Sequence, residues 1–272
     1  MKRMLFLSLI FAGVNVFAQG PKLETGKKIT ALTNTSMNMD MGIAGQMKID
    51  GTATNLIHIT GADDKNYTAT GTTTKMTMSQ EVMGQTVSFD SDKKEDRESE
   101  VGKEMSKMLD VAAELMIEKN SGKVTEINKK IVEVEDGNPM SALTGVGNKS
   151  VEATTAAAFF YVPAGKKVGD TWADSVSENG MKGLKIFELQ SVKDNIATVA
   201  VKTKSKGTIS KEMQGMQMEI VMDGTTTGVI IVDTKTGLVK KNTQDSDVTG
   251  TLDMMGQSIP LTIKMTSNSD YN

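Results

Sequence analysis

The stretch Met37-Asn38-Met39-Asp40-Met41 alternates strictly between apolar and polar side chains. Successive side chains of a β-strand point to opposite faces, so a period of two is typical of a half-buried strand. The alternation returns in Met216-Gln217-Met218-Glu219-Ile220, in Val87-Ser88-Phe89 and along residues 259–265. The sequence therefore predicts a mainly β protein with long antiparallel strands, one face of which is wet.

Short glycine turns repeat between these segments. Met83-Gly84-Gln85 and Met255-Gly256-Gln257 each precede an alternating stretch, and glycine permits the positive φ that a tight hairpin turn needs. A longer echo links residues 116–124 with residues 231–239. These echoes predict an internal duplication, with two similar curved, half-barrel-like antiparallel sheets in residues 19–135 and 163–272. The alternative is that hairpins rich in Thr, Met and Gly simply resemble one another.

Two or three helices are expected to bridge the two halves. Apolar residues recur at helical spacing in residues 95–115, although Gly102 weakens the start of this helix. Residues 136–162 are predicted to form a helical connector. In it, Asn138-Pro139 starts one short helix, and Ser150 caps a second that ends before Pro163.

The amino terminus has the features of a secretory signal peptide. Lys2 and Arg3 precede an apolar run from Met4 to Val14, and Val16-Phe17-Ala18 fits the signal peptidase rule. Cleavage is expected between Ala18 and Gln19. The apolar run is shorter than the roughly 20 residues of a membrane span. No cysteine is present for a lipid anchor. The sequence thus predicts a periplasmic or secreted protein with no transmembrane segment after cleavage.

Composition excludes several chemistries. The 272 residues include no cysteine and one histidine, which excludes disulfides, thiolate nucleophiles and multi-histidine metal sites. The net charge of −3 argues against a nucleic-acid partner. No Gly-x-Ser-x-Gly nucleophile motif and no phosphate-binding glycine loop occurs. We therefore expect no enzyme, no cofactor and no metal, although a hydrolase that uses only carboxylates stays open.

Methionine is unusually frequent, with 21 residues. Core packing explains such residues, because the flexible thioether chain fills irregular apolar spaces. A surface that adapts to a lipid or another apolar ligand is the second explanation. Thioether binding of Cu(I) by residues such as Met213 is the third, and the lack of supporting His and Cys argues against it. The predicted ligand-lining residues are Met37, Met39, Met41, Met76, Met78, Met216, Met218 and Ile220.

Two other residues attract attention. His58 lies in an alternating segment on the face opposite Ile57 and Ile59, which favours a structural or surface role. Trp172 follows the turn residues 163–171 and is expected to anchor the first strand of the second half in the core.

These features together resemble a family of exported proteins of unknown function from Bacteroidota. The residues that carry the resemblance are Met83-Gly84-Gln85, Met255-Gly256-Gln257, Val168-Gly169-Asp170-Thr171-Trp172 and the hairpin at 233–239. The resemblance implies a fold and no activity or catalytic residue. The long antiparallel strands also resemble the half-barrel lipid carriers of the Gram-negative envelope, at the level of the fold alone.

Two functions follow as hypotheses. The first is an extracytoplasmic protein that binds an apolar or amphipathic ligand against its curved sheet. The second is a structural or surface-interaction protein of the cell envelope that holds no small ligand. The volume of an apolar cavity distinguishes the two, because an inward methionine has the same sequence pattern in both.

Overall fold

The computed structural model describes residues 22–42, 45–82, 84–126, 148–178, 180–213, 216–254 and 257–272. The predicted signal peptide with its cleavage point at Ala18 and Gln19, and the predicted helix at Asn138-Pro139, lie outside the described residues. Strands dominate the remainder. They are β1 (Lys28–Asp40), β2 (Gln46–Ala62), β3 (Asn66–Val82), β4 (Gln85–Asp90), β5 (Ala112–Glu118), β6 (Val124–Glu126), β7 (Thr171–Glu178), β8 (Met181–Lys193), β9 (Ile196–Met213), β10 (Met216–Asp233), β11 (Val239–Met254) and β12 (Gln257–Tyr271).

All twelve strands belong to one open antiparallel sheet. Its order is β6-β5-β3-β2-β1-β12-β11-β10-β9-β8-β7, and β4 pairs with β3 beside this path. The prediction of a mainly antiparallel β protein is confirmed. The two predicted sheets are one, because β1 pairs with β12 over ten residue pairs from Ala31↔Tyr271 to Asp40↔Thr262. If the two sheets were separate, the backbone N–H and C=O groups of β1 and β12 that now pair would lie at exposed edges without hydrogen-bond partners.

Hairpin turns gather at one end of this sheet. The turns β1–β2, β3–β4, β9–β10 and β11–β12 all lie there, and we call it the turn end. Gly84 in the β3–β4 turn has φ +79°, which confirms the need for glycine at this position. The echoed motifs at 83–85 and 255–257 therefore fall at the same end of the sheet, between β3 and β4 and between β11 and β12. The duplication itself stays a prediction.

The helices are α1 (Lys94–Glu98), α2 (Glu100–Ser106) and α3 (Asn148–Ala157). The single helix predicted over 95–115 is wrong. The Ser99 hydroxyl accepts a hydrogen bond from the Gly102 backbone N–H at 2.9 Å and caps a new helix, so the chain breaks between α1 and α2. Asp110 then takes φ +60°, and the following residues pair with β3 as strand β5.

The connector prediction is right for its second helix. Helix α3 begins at Asn148, two residues before the predicted cap Ser150, and ends at Ala157 ahead of Pro163. It contacts strands β2, β3, β5 and β6. The face of the sheet that α3 covers is called the inner face here. The segment after α3 also joins the second half, because Phe159 bridges to Leu238.

Two apolar clusters lie on the inner face. Strand β1 contributes to both, because Ile29 and Ala31 belong to the first and Met37 and Met39 to the second. The first, the covered core, lies beside α3 and residues 158–162 and includes Leu115, which is fully buried. The second, the methionine cluster, lies at the turn end and is the candidate site.

Candidate functional site

The methionine cluster is built from neighbouring strands in register. Met39 lies opposite Met47 of β2 on one side and opposite Ile263 of β12 on the other. Met37 lies opposite Ile49 and Met265 in the next row. The buried members of the cluster are Met37, Met39, Met47, Ile49, Ile220 and Leu261. The partly buried members are Met41, Met78, Val82, Met222, Leu252, Ile263 and Met265.

None of the three described helices contributes a residue to this cluster. Met39 is nevertheless only 1% exposed. Side chains from β1, β2, β3, β10, β11 and β12 meet in the cluster. A concave face brings side chains of separate strands together, so burial of this kind indicates a strongly curved sheet at the turn end.

The structure brings five of the eight predicted lining residues together. Met37, Met39 and Ile220 are buried in the cluster, and Met41 and Met78 pack against it. Met76 is half-buried on β3 and does not belong to the cluster. Met216 and Met218 lie in strand β10, opposite Met213 and Met254 respectively, and the structure describes only their backbone.

Sequence reasoning missed several members of the cluster. Met47 and Ile49 alternate on β2 in the same way as Met37 and Met39 on β1, and this signal could have identified them. The alternation along residues 259–265 predicts the strand that contains Leu261, Ile263 and Met265. Their place in the site depends on the pairing of β12 with β1, which joins residues more than 200 positions apart.

An open concavity of about 690 Å³ lies at the turn end on the outer face of the sheet. Its side chains alternate along the strands with the inward Met37, Met39 and Met47. Charged residues of both signs line it, and they are Asp40, Lys48, Glu81 and Lys264. The charged concavity and the methionine cluster therefore lie at the same end of the sheet and on opposite faces.

A second open concavity, of about 520 Å³, is polar and lies across the outer side of β1–β4 and β12. Asp50 contributes to it and accepts a hydrogen bond from the Ser36 hydroxyl at 2.6 Å. This hydrogen bond, together with the Lys48 ammonium 3.0 Å away, holds the pKa of Asp50 below its usual value. Asp90 and Asp96 also line this concavity. Among the described residues, no group of three or more His, Cys, Asp or Glu side chains is arranged to hold a metal ion.

Polar side chains separate the two clusters on the inner face. The Thr73 hydroxyl donates to the Asn55 side-chain oxygen at 2.7 Å, and both residues are only 3% exposed. Thr33 and Ser269 share a hydrogen bond of 2.9 Å in the adjacent row. Because these groups satisfy one another, the inner face can carry a polar band between two apolar regions at little cost.

Trp172 and His58 lie outside the methionine cluster. Trp172 packs against the covered core and stacks on Phe187 with ring centroids 5.4 Å apart. Phe160 completes this aromatic group. His58 lies half-buried on the outer face, opposite Lys28, while Ile57 and Ile59 are fully buried inside. The expected face of His58 is confirmed.

Comparison with known proteins agrees with this architecture. Residues 140–239 match the model of a family of unknown function, DUF6263. No curated protein sequence matches the chain. A structure titled for lipid–protein interactions in lipovitellin matches with a TM-score of 0.54 at 10% identity, covering 92% of this chain and 25% of that one. The chain thus spans about a quarter of lipovitellin and shares part of its fold.

Two further structures match with lower TM-scores. Pseudomonas aeruginosa OccK5 matches with a TM-score of 0.25 at 9% identity over 92% of this chain and 99% of that one. The COG4313 channel from Pseudomonas putida F1 gives a TM-score of 0.24 at 8% identity over 97% of this chain and 100% of that one. Within the described residues, no helix has the length and apolar character needed to cross a membrane.

Proposed function

We propose that this protein binds an apolar or amphipathic ligand at the methionine cluster. One observation carries the proposal: a cluster rich in methionine occupies the concave inner face at the end that no described helix covers. Small-molecule sites are concave and mostly apolar.

The choice of residue supports an adaptable site. Met37, Met39 and Met47 are unbranched and polarizable, so they can change rotamers to fit guests of different shape. Branched side chains such as Ile57 and Val199 fill the covered core instead. The thioether chains occupy the site when no ligand is bound. An incoming chain would displace them toward the turn end.

The match to the lipovitellin structure supports a lipid as the ligand, since that structure concerns lipid–protein interactions.

The test is native mass spectrometry, with lipid extraction, of protein purified from its own cell envelope. We expect to recover bound lipid, and this lipid should displace a fluorescent fatty acid from the protein. The double variant Met39→Gln/Met47→Gln should lose at least tenfold in affinity for the fluorescent fatty acid, because two buried amides would face the acyl chain without partners. Met116→Gln is the control, since Met116 is half-buried on the opposite face of the sheet.

A structural or surface-interaction protein is the second candidate. The close packing of the cluster favours this candidate, because the side chains of Met37 and Met39 are only 5% and 1% exposed. Recovery of ligand-free protein, together with unchanged fluorescence on titration with the fatty acid, would support this candidate and contradict the first.

We further propose that the protein is exported and has no catalytic activity. Expression in a bacterial host followed by amino-terminal sequencing should give a mature chain that begins at Gln19. A screen of the purified protein on ester, glycoside and peptide substrates should show no turnover above the buffer. Robust turnover would instead direct attention to the carboxylates of the polar concavity, Asp50, Asp90 and Asp96.

A further inference from the structure

The outer face of strands β8 and β9 carries a compact group of lysines. Lys202, Lys204 and Lys206 alternate along β9 and are all exposed. Lys182 of β8 lies directly opposite Lys206. Residues two apart on a strand are separated by roughly 7 Å, and directly opposite residues by about 5 Å. Four ammonium groups therefore lie within a patch roughly 14 Å long.

None of these lysines forms an ion pair in the described structure. The ion pairs formed by described residues all involve other lysines. On the neighbouring strand β10, only Lys206 faces a carboxylate, Asp223, whereas Lys202 and Lys204 face Thr227 and Thr225. Because the whole chain has a net charge of −3, this concentration of positive charge is local and opposite in sign.

Exposed aliphatic side chains lie between the same lysines. Leu184 is opposite Lys204 and Ile186 is opposite Lys202 on the same outer face. Their side chains are 48% and 42% exposed. We call the surface formed by these residues the basic-aliphatic patch, and its members are Lys182, Leu184, Ile186, Lys202, Lys204 and Lys206.

We propose that the basic-aliphatic patch docks this protein onto an anionic membrane surface. Lysine side chains attract anionic head groups, and aliphatic side chains between them can enter the boundary between head groups and acyl chains. The ammonium groups stand on flexible stems, which allows them to remain among the phosphates while the aliphatic groups lie deeper.

The aliphatic component favours a membrane over a nucleic acid. Proteins that bind single-stranded nucleic acid combine basic grooves with aromatic side chains on which bases stack. The strand residues of this patch include no aromatic side chain on the outer face; Phe187, the aromatic residue of β8, points inward and is 5% exposed.

The proposal goes beyond ligand binding and does not depend on it. The patch lies on the outer face, whereas the methionine cluster lies on the inner face. A protein that docks on a membrane through one face could exchange a ligand through the open turn end.

Vesicle cosedimentation of the full chain tests the proposal. Vesicles of phosphatidylglycerol and phosphatidylcholine in equal parts should bind the protein at least tenfold more tightly than vesicles of phosphatidylcholine alone. Binding should weaken as salt rises from 50 to 300 mM. The triple variant Lys202→Gln/Lys204→Gln/Lys206→Gln should lose about a hundredfold in affinity, since each lysine near an anionic surface contributes roughly fivefold.

The matched control removes three exposed lysines elsewhere, Lys27, Lys103 and Lys123. It has the same net charge as the triple variant and should keep wild-type binding to within about threefold. Leu184→Ser/Ile186→Ser should weaken binding while leaving its salt dependence unchanged. Equal losses in the two lysine variants, or tighter binding to an oligonucleotide than to the anionic vesicles, would overturn the proposal.

Discussion

The covered core and the methionine cluster share one face of one sheet and are built from different side chains. The covered core contains Leu, Ile, Val and aromatic residues and lies beside α3 and residues 158–162. The methionine cluster contains four methionines among its partly buried members and three among its buried ones, and none of its residues belongs to a described helix. Branched and aromatic side chains have few rotamers and pack in one way, while methionine tolerates several arrangements.

The contrast indicates that the two ends of the strands have different roles. A single strand such as β1 passes from the rigid region at Ile29 to the adaptable region at Met39. Stability should therefore come mainly from the covered core. The cluster at the turn end can repack without unfolding the sheet. The following predictions test this difference, beginning with the largest expected effect.

Truncation of a core side chain should separate the two regions most clearly. Leu115→Ala should lower the free energy of unfolding by about 4 kcal/mol, because Leu115 is fully buried and its rigid neighbours cannot fill the space. Met39→Ala should cost only about 2 kcal/mol, because flexible methionines can move into the gap. Urea unfolding followed by circular dichroism measures both. An equal or larger loss for Met39→Ala would contradict the comparison.

A glycine substitution should show how tightly the covered core is fitted. Gly237 has φ +71°, and a Cβ there would lie 2.3 Å from the Tyr161 ring. Gly237→Ala should therefore cost about 3 kcal/mol, from backbone strain and overlap together. Gly165→Ala is the matched control: its φ is +80°, but no atom lies within 4 Å of the added Cβ. That control should cost about 1 kcal/mol, and urea unfolding measures both variants.

Alkaline pH should destabilise the covered core through its tyrosines. Burial raises the pKa of Tyr271 to about 12, and burial also raises the pKa of Tyr161 above its usual value. The unfolded tyrosine ionises near pH 10, so the stabilising contribution is complete below pH 10 and disappears as pH rises toward 12.

The loss attributable to Tyr271 should be about 2–3 kcal/mol. Stability measured by urea unfolding between pH 9 and 12 should decline less in Tyr271→Phe than in the parent protein. Parallel curves for the two proteins would contradict this assignment.

The smallest effect concerns the polar band between the two regions. Thr73→Val should cost about 1–2 kcal/mol, because it leaves the buried Asn55 side-chain oxygen without its donor. Thr77→Val removes a hydrogen bond of 2.7 Å to Thr52 on the exposed outer face and should change stability by less than about 0.5 kcal/mol. Chemical denaturation of both variants checks the difference.

Strand alternation predicted much of the fold correctly. The inward positions of Met37 and Met39, and the outward position of His58, follow from the period of two in the sequence. The helix predicted over 95–115 failed because residues 112–118 have an alternative partner. Leu115 fits the helical spacing from Met108 and Ala112, but it also alternates with Ile117, and pairing with β3 buries both completely. A local pattern cannot show that such a partner exists.

The sequence by itself determined the mainly β character of the protein, the glycine turns and the identity of the inner face along β1, because these properties depend on neighbouring residues in the chain. Only the tertiary structure decided that β1 pairs with β12, and hence that both halves form one sheet. The same pairing places Met265 and Leu261 beside residues 37–41 in the methionine cluster. Contacts between distant segments depend on the curvature and register of the whole sheet, which no local stretch encodes.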